Sequence, residues 1–521
     1  MVITLLRLKH VFKMDVGWYS VSVQLLLLLV VLIVSSVYIF FHIKYSYWKK
    51  RGIHYEKPYL FFGNLRYVMR KSFWEMFYDL YKKNPKRDYY GIFLGWKPAL
   101  IVQTPEIAKN ILVKDYDHFQ DRLTHSSYKS DPLGSLNLFS LKAPLWSTMR
   151  QELSPMFTTS RLKMLTDLMN ENAKELVLKI KRENIAENKL ADLKDIYSMY
   201  TSDTVGYTVF GIRVSALNDP SSPLWFITRH MVKWTFWRGF EFSMIFFVPA
   251  LAKLLGLTFF SNPATDYVKK LFWNTVNERK ASGKSSDKDL VNHLVRLKEN
   301  LKLPAGSDTG LADELMLAQA AVFILGSIET SSSTLSYCTH ELAHHPEEQE
   351  KLFQEVDEAL KRSGKDVLNY EQLMELKYMS ACILETLRKY APAPHIDRVC
   401  TRDYHLNKDV LIKAGTPTFV NISSLHYNEE YYPEPEKWQP ERMMNMSDND
   451  NRNFTFLPFG EGPHFCIGKR YGLMQIRAAL AQIVHKYRFE PTPEEPYDVK
   501  PDPYAVLLAP KSGGKVKFVL R

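Results

Sequence analysis

Cysteine is scarce: Cys338, Cys382, Cys400 and Cys466 are the only four in 521 residues. Four cysteines cannot frame a chain of this length with disulfides. Linkers are missing too. After residue 60 no Gly/Ser-rich or charge-rich stretch divides the chain. Length alone suggests roughly three or four domains of about 150 residues, but without linkers one large integrated domain is expected. No stripe of clustered basic and aromatic residues appears, which argues against a nucleic-acid partner. Acidic residues are in deficit: Lys+Arg 68 against Asp+Glu 57 leaves +11, with a pI near 9.1. That balance suits an acidic partner or a membrane surface. Apolar residues are abundant at 46%, enough for a large core.

One long apolar run lies near the start. Val21 to Phe41 is interrupted only by Ser22, Gln24, Ser35 and Ser36. About 20 such residues span a bilayer as a helix. A cleaved signal peptide would have a shorter apolar region ending in small residues, whereas this one runs into Tyr38-Ile-Phe-Phe41 and shows no cleavage site. Lys44, Lys49, Lys50, Arg51 and Lys57 follow, against Glu56 alone. The positive-inside rule sets that side in the cytosol, although Arg7, Lys9 and Lys13 add charge on the other flank. The expected organisation is an N-terminal segment 1–20, a transmembrane anchor 21–43, a basic, proline-bearing hinge 44–64 and a main domain 65–521.

The most distinctive stretch is Phe456-Leu-Pro-Phe-Gly-Glu-Gly-Pro-His-Phe-Cys466-Ile-Gly468. Pro458 and Pro463 stiffen it, while Gly460, Gly462 and Gly468 let the backbone pass close to something flat and bulky. Leu473, Ile476, Leu480, Ile483, Val484 and Tyr487 then recur at helical spacing. Cys466 thus sits at or near a helix N-terminus, where the dipole and free N–H groups favour a thiolate. A lone thiolate suits a haem iron, which one cysteine can hold; zinc needs several such ligands. The plain alternative is a buried cysteine behind an ordinary Gly/Pro loop. The whole run Phe459-Gly-x-Gly-x-x-x-Cys466-x-Gly468 resembles the haem-binding loop of the cytochrome P-450 monooxygenases. The resemblance makes Cys466 the axial ligand of haem b, with Phe459 beside it. Where this chain has His464, the family usually carries an arginine that meets a haem propionate. A histidine does so only as a donor and with less charge.

Other motifs of that family follow in order. Trp146 and Arg150, four apart, share a helical face. Spacing alone is satisfied by an aromatic packed on an arginine stem, whereas the resemblance makes both propionate donors. It adds Arg122, in Asp117-His-Phe-Gln-Asp-Arg122, and Arg398, in Pro394-His-Ile-Asp-Arg398. In the family, the irregular stretch from Asp117 to about Leu141 roofs the substrate pocket. Ala312 to Ala343 is a continuous helical pattern without proline, roughly 48 Å long at about 1.5 Å per residue. It contains Gly326-Ser-Ile-Glu-Thr-Ser331. An acid followed by a hydroxyl residue, near glycine, can open a helix and admit water, though alone such a pair reads as a solvated face. It resembles the family's oxygen-activating motif, which makes Glu329 and Thr330 the proton donors. Ser327 replaces the motif's second glycine; serine can bond the carbonyl one turn back and narrows the space for dioxygen. Glu385 and Arg388, with Arg442, resemble the Glu-Arg-Arg cluster that locks the cysteine-side scaffold. Leu224 to Phe260 is dense in Trp and Phe. It reads either as a core helix pair or as a segment dipping into the membrane interface; in the family it is the lid.

Smaller elements complete the expectation: a helix over Phe73–Lys83, a hairpin of Tyr89–Phe93 and Ala99–Gln103 around Gly95-Trp-Lys-Pro98, a helix from Pro105 to Val113, a helix from about Tyr370 to Arg388, and a mobile polar loop from Lys280 to Asp289. The resemblance covers nearly the whole chain after the anchor. It is strongest to microsomal xenobiotic enzymes, the insect detoxification group in particular. It implies a mainly α fold with a small β-region, preceded by one N-terminal transmembrane helix. It also implies insertion of one oxygen atom of O2 into lipophilic small molecules, xenobiotic or endogenous. Electrons would come from NADPH through NADPH-cytochrome reductase, a flavoprotein, with cytochrome b5 as a second candidate donor. Lys469 and Arg470 would present a basic face to that acidic reductase. The implied location is the endoplasmic reticulum membrane, single-pass, with the catalytic domain on the cytosolic face. Two other classes stay open. One is a haem-thiolate isomerase or dehydratase that needs no reductase; Glu329-Thr330 speaks against it, and Ser327 keeps it open. The other is a haem protein that binds a ligand without turnover.

Overall fold

The structure, a computed structural model, describes residues 2–282, 289–301, 308 and 310–521. The polar loop expected from Lys280 to Asp289 lies largely outside the described residues. The described chain is mainly helical with small sheets, and it forms two compact units.

The first unit runs to Arg66 and takes in Tyr90–Ala99. Its helix α1, Val2–Tyr45, has 44 residues and is roughly 66 Å long at about 1.5 Å per residue. No break separates a segment 1–20 from an anchor 21–43, because nothing stronger than the single Gly17 interrupts the pattern. From Val23 to Ser36 every side chain is exposed. A helix apolar on all sides and without protein cover is suited to lipid, and Val23–Arg51 is long and apolar enough to cross a membrane. The hinge is tied to the hairpin β1 (Tyr89–Leu94) and β2 (Lys97–Val102). Trp48 is fully buried, and its Nε1 donates to the Ile92 carbonyl at 3.0 Å. Any Cβ at Gly91 would strike the indole. The hairpin residues 90–99 therefore belong with anchor and hinge, not with a domain 65–521. The turn is Gly95-Trp96, with Gly95 at φ +60, so Pro98 lies inside β2 and not in the loop.

The second unit holds Tyr67–Tyr89 and Leu100–Arg521. Helix α2, Phe73–Lys83, opens on a Ser72–Glu75 capping box. Then come α3 (Leu145–Leu153), α4 (Thr159–Lys179), α5 (Leu193–Phe210), α6 (Pro223–Val232), α7 (Phe236–Phe247) and the 34-residue α8 (Leu311–His344). Helix α8 is buried along most of its length and stops where Pro346 forces the preceding residue out of helical geometry. The expected helix from Tyr370 to Arg388 is two helices, Tyr370–Glu375 and α9 (Lys377–Lys389). The break is capped: the N–H groups of Tyr378 and Met379 donate to the Glu355 carboxylate at 2.8 and 2.9 Å. Strand β3 (His395–Val399) pairs antiparallel with β4 (Pro417–Asn421), which pairs parallel with Leu100–Val102 of β2. Helix α10, Lys469–Lys486, starts directly after Gly468. The aromatic stretch 224–260 divides: Trp225, Phe242, Phe246, Phe247, Phe259 and Phe260 are buried, while Phe226, Phe236 and Trp237 are exposed. It is thus partly core and partly open surface.

Candidate functional site

The Phe459–Gly468 loop and the middle of α8 line one cavity of about 380 Å³. Two glycines shape the loop. Gly460 and Gly462 take φ of +68 and +73, a region closed to most side chains, and a Cβ at Gly462 would strike the Leu112 carbonyl. The Cys466 N–H donates to the Phe459 carbonyl at 2.8 Å, and Phe465 N–H to Gly462 at 2.9 Å. Of the four cysteines, only Cys466 lines this cavity and is exposed to it; Cys338, Cys382 and Cys400 are buried. Burial pushes the Cys466 thiol up, opposed by the Gly468 N–H and by Arg150, Lys469 and Arg122. Burial works against the thiolate, and the loop N–H and the nearby cations favour it. A metal cation at the sulfur would supply the missing stabilisation.

Helix α8 brings Gly326, Ser327 and Thr330 to the cavity. The helix is continuous there, so the expected opening is not present. The space beside Gly326 is open, and a Cβ there would meet nothing within 4 Å. Thr330 Oγ1 donates to the Gly326 carbonyl at 2.7 Å. Glu329 is not among the lining residues. Fully buried, it is ion-paired at 3.0 Å with Lys194 from the first turn of α5. Lys194 also donates to Ser332 Oγ at 2.6 Å. Burial pulls the Lys194 ammonium down, and the Glu329 charge works against that.

Arg122, Trp146, Arg150, Arg398, Phe459 and His464 line the same cavity. One of these departs from expectation, and a further residue joins them. His464 spends Nε2 on the Gln120 carbonyl at 2.8 Å, and its ring stacks on Trp146 with centroids 3.6 Å apart. Burial, then Arg398 and Arg122, push its pKa down to about 2. It offers a neutral surface, not a charge. Asp397, between His395 and Arg398 on β3, was not anticipated. It pairs with Arg122 at 3.3 Å and accepts the Leu123 N–H at 2.6 Å. Burial works to raise its carboxyl, but Arg122, His395, Arg398 and that N–H outweigh it and hold it at about 2. Burial, then Arg122, lower Arg398 to about 9.

A second polar chain braces the loop from behind. Arg388 grips Glu385 with two bonds of 2.8 Å, and Arg442 reaches the same carboxylate at 3.1 Å. His426 links this cluster to the loop. Its Nδ1–H donates to the Arg388 carbonyl at 2.9 Å, and its Nε2 accepts the Leu457 N–H at 3.0 Å. That bonding fixes the neutral tautomer; burial and the Arg388 charge lower the imidazole to about 3.

The lining fits haem. The lining holds three guanidinium groups, Arg122, Arg150 and Arg398, and one carboxylate, Asp397. Arg122 Nε and Arg398 Nε are buried without a hydrogen-bond partner among the described residues. A ligand carrying carboxylates would supply the missing acceptors, and the cysteine on the same wall would take its metal.

Comparison with known proteins agrees. A family model described as Cytochrome P450 matches residues 53–518. Cytochrome P450 6k1 of Blattella germanica is 34% identical over 513 residues, covering 95% of this chain and 96% of the relative. Cytochrome P450 6j1 of the same insect is 33% identical over 476 residues, covering 90% and 93%. Cytochrome P450 6B2 of Helicoverpa armigera is 30% identical over 497 residues, covering 94% and 97%.

Proposed function

Since the chain belongs to the cytochrome P450 family, oxidoreductases that hold haem iron through a cysteine thiolate, we propose that Cys466 is the iron ligand and that the cavity beside it oxygenates lipophilic small molecules. The carrying observation is that Cys466 is the one cysteine on the cavity that Gly326 and Thr330 also line. When bound, haem supplies the activation of dioxygen and the transfer of one oxygen atom. The chain does the rest. Arg122, Arg150 and Arg398 orient the group by its carboxylates, and Trp146 and His464 pack against it. Phe139, Phe242, Phe246, Phe259 and Val506 line the cavity, excluding water and favouring apolar, neutral substrates. Thr330 Oγ1 donates its hydrogen bond to the Gly326 carbonyl. Its lone pairs accept from a cavity water, holding that water where it can pass a proton onward. Glu329, after leaving the ion pair with Lys194 and taking up a proton from solvent, recharges that water.

NADPH is the electron source, through a flavoprotein reductase drawn to Lys469 and the exposed Arg470; cytochrome b5 is a candidate second donor on the same face. Helix α1 anchors the chain in the endoplasmic reticulum membrane, and Lys44, Lys49, Lys50 and Arg51 keep the catalytic unit cytosolic. The test is the full chain with reductase, NADPH and ¹⁸O2, screened against lipophilic compounds. Product carrying one labelled oxygen, formed only with NADPH, is expected. Rearrangement of a peroxide without reductase would favour an isomerase instead.

A further inference from the structure

Glu329 is held from two sides that differ in kind. Its Oε2 lies 3.0 Å from Lys194 Nζ, and Lys194 is itself fixed by Ser332 Oγ at 2.6 Å and the Glu329 carbonyl at 3.3 Å. Neither Lys194 nor Ser332 lines the cavity. Its Oε1 accepts from Trp234 Nε1 at 3.4 Å. Trp234 lies in the short connection between α6 and α7, is half-buried and lines the cavity. Its ring meets Phe242, another lining residue, edge-on with centroids 5.2 Å apart. One side chain thus touches both the space for an apolar molecule and the acid behind Thr330. A molecule entering beside Phe242 competes for the indole, whose long bond to Glu329 is easily given up.

We propose that Trp234 is a positioning residue that makes Glu329 responsive to occupancy of the cavity. With the cavity free of substrate, Trp234 and Lys194 together hold the carboxylate away from Thr330. A neutral, lipophilic molecule packing on Phe242 and Trp234 draws the indole off, and the carboxylate is then restrained by Lys194 alone and turns toward Thr330. The inference rests on the proton role of Glu329 given above. Its consequence is economy of electrons. Without substrate, the reaction 2 NADPH + 2 H⁺ + O2 → 2 NADP⁺ + 2 H2O draws protons through the cavity, and Trp234 slows it.

Trp234→Phe keeps an apolar ring and removes the donor. The substrate-free consumption of NADPH to form water should rise about threefold to tenfold, the scale of one long hydrogen bond to a charged acceptor. Because a bound apolar molecule no longer has to break that bond, spectral titration with biphenyl should show binding tighter by a similar factor. Glu329→Gln should lower product per NADPH, and in that background Trp234→Phe should change neither substrate-free NADPH consumption nor biphenyl affinity. Both quantities unchanged in Trp234→Phe, with Glu329→Gln still impaired, would overturn this inference and leave the proton role standing. Weaker biphenyl binding of equal size in both backgrounds would make Trp234 a mere packing residue and overturn it too. Unimpaired coupling in Glu329→Gln would remove the proton role and the inference with it.

Discussion

Thr330→Val keeps the β-branched shape and removes one hydroxyl. That hydroxyl donates to the Gly326 carbonyl at 2.7 Å and lines the cavity. Losing one side-chain hydrogen bond costs about 0.5–1.5 kcal/mol. This is little for a helix of 34 residues that is buried along most of its length, so the variant should fold and take up haem. Proton delivery is what it should lose. A positioned proton donor contributes roughly a hundredfold to ten-thousandfold. The loss here should be smaller, because Ser327 lines the same cavity one turn away and carries another hydroxyl. We expect product per NADPH to fall about tenfold to a hundredfold, equivalent to roughly 1.4–2.7 kcal/mol. Substrate binding and NADPH consumption should persist, with the diverted electrons recovered as hydrogen peroxide. The assay measures NADPH, product and peroxide in parallel with purified reductase. Ser327→Gly combined with Thr330→Val should be worse than Thr330→Val alone. Unchanged coupling in both variants would refute the relay.

His426 is buried neutral, with its pKa lowered to about 3 by burial and Arg388, against about 6.5 for free imidazole. Between these values the unfolded chain binds the extra proton, so this stabilisation is complete above pH 6.5 and is lost as pH falls toward 3, by up to about 1.4 kcal/mol per pH unit. His426→Asn should be less stable at pH 7.5, with the guanidinium midpoint falling less steeply between pH 6.5 and 5; an unaltered slope would contradict the role assigned to His426. For topology, Asn421-Ile-Ser423, Asn445-Met-Ser447 and Asn453-Phe-Thr455 fit the glycosylation pattern; Asn421 is fully buried and bonded to the Phe77 carbonyl, so it cannot carry a glycan on either side of a membrane. The exposed sequons at Asn445 and Asn453 decide: both should be bare in a native membrane preparation, and glycan on either would put the catalytic unit in the lumen.

Much of this arrangement could be read along the chain, because it is local. The Cys466 loop carries its glycines and prolines within a dozen residues. Helix α8 shows as a long pattern without proline, and the capping box of α2 is four residues long. What escaped depends on residues far apart in sequence. Lys194 and Glu329 lie 135 positions apart, and only the packing of α5 on α8 brings them together. Asp397 is unremarkable until Leu123 and Arg122 fold against it. The break at Leu376 needs Glu355, a residue of another helix, to cap it. His464 reads as a donor carrying less charge than arginine, and its bond to the Gln120 carbonyl and its stacking on Trp146 are not visible in the sequence. The hairpin 90–99 reads as part of the main domain because nothing in its sequence reports that Trp48 is seated on Gly91.

The most direct measurement is the Soret band of the reduced, carbon monoxide-bound protein in four single cysteine-to-alanine variants. Thiolate ligation by Cys466 predicts the red-shifted band in the parent chain and in Cys338→Ala, Cys382→Ala and Cys400→Ala, and its loss in Cys466→Ala alone. Persistence of that band in Cys466→Ala would contradict the account at its centre.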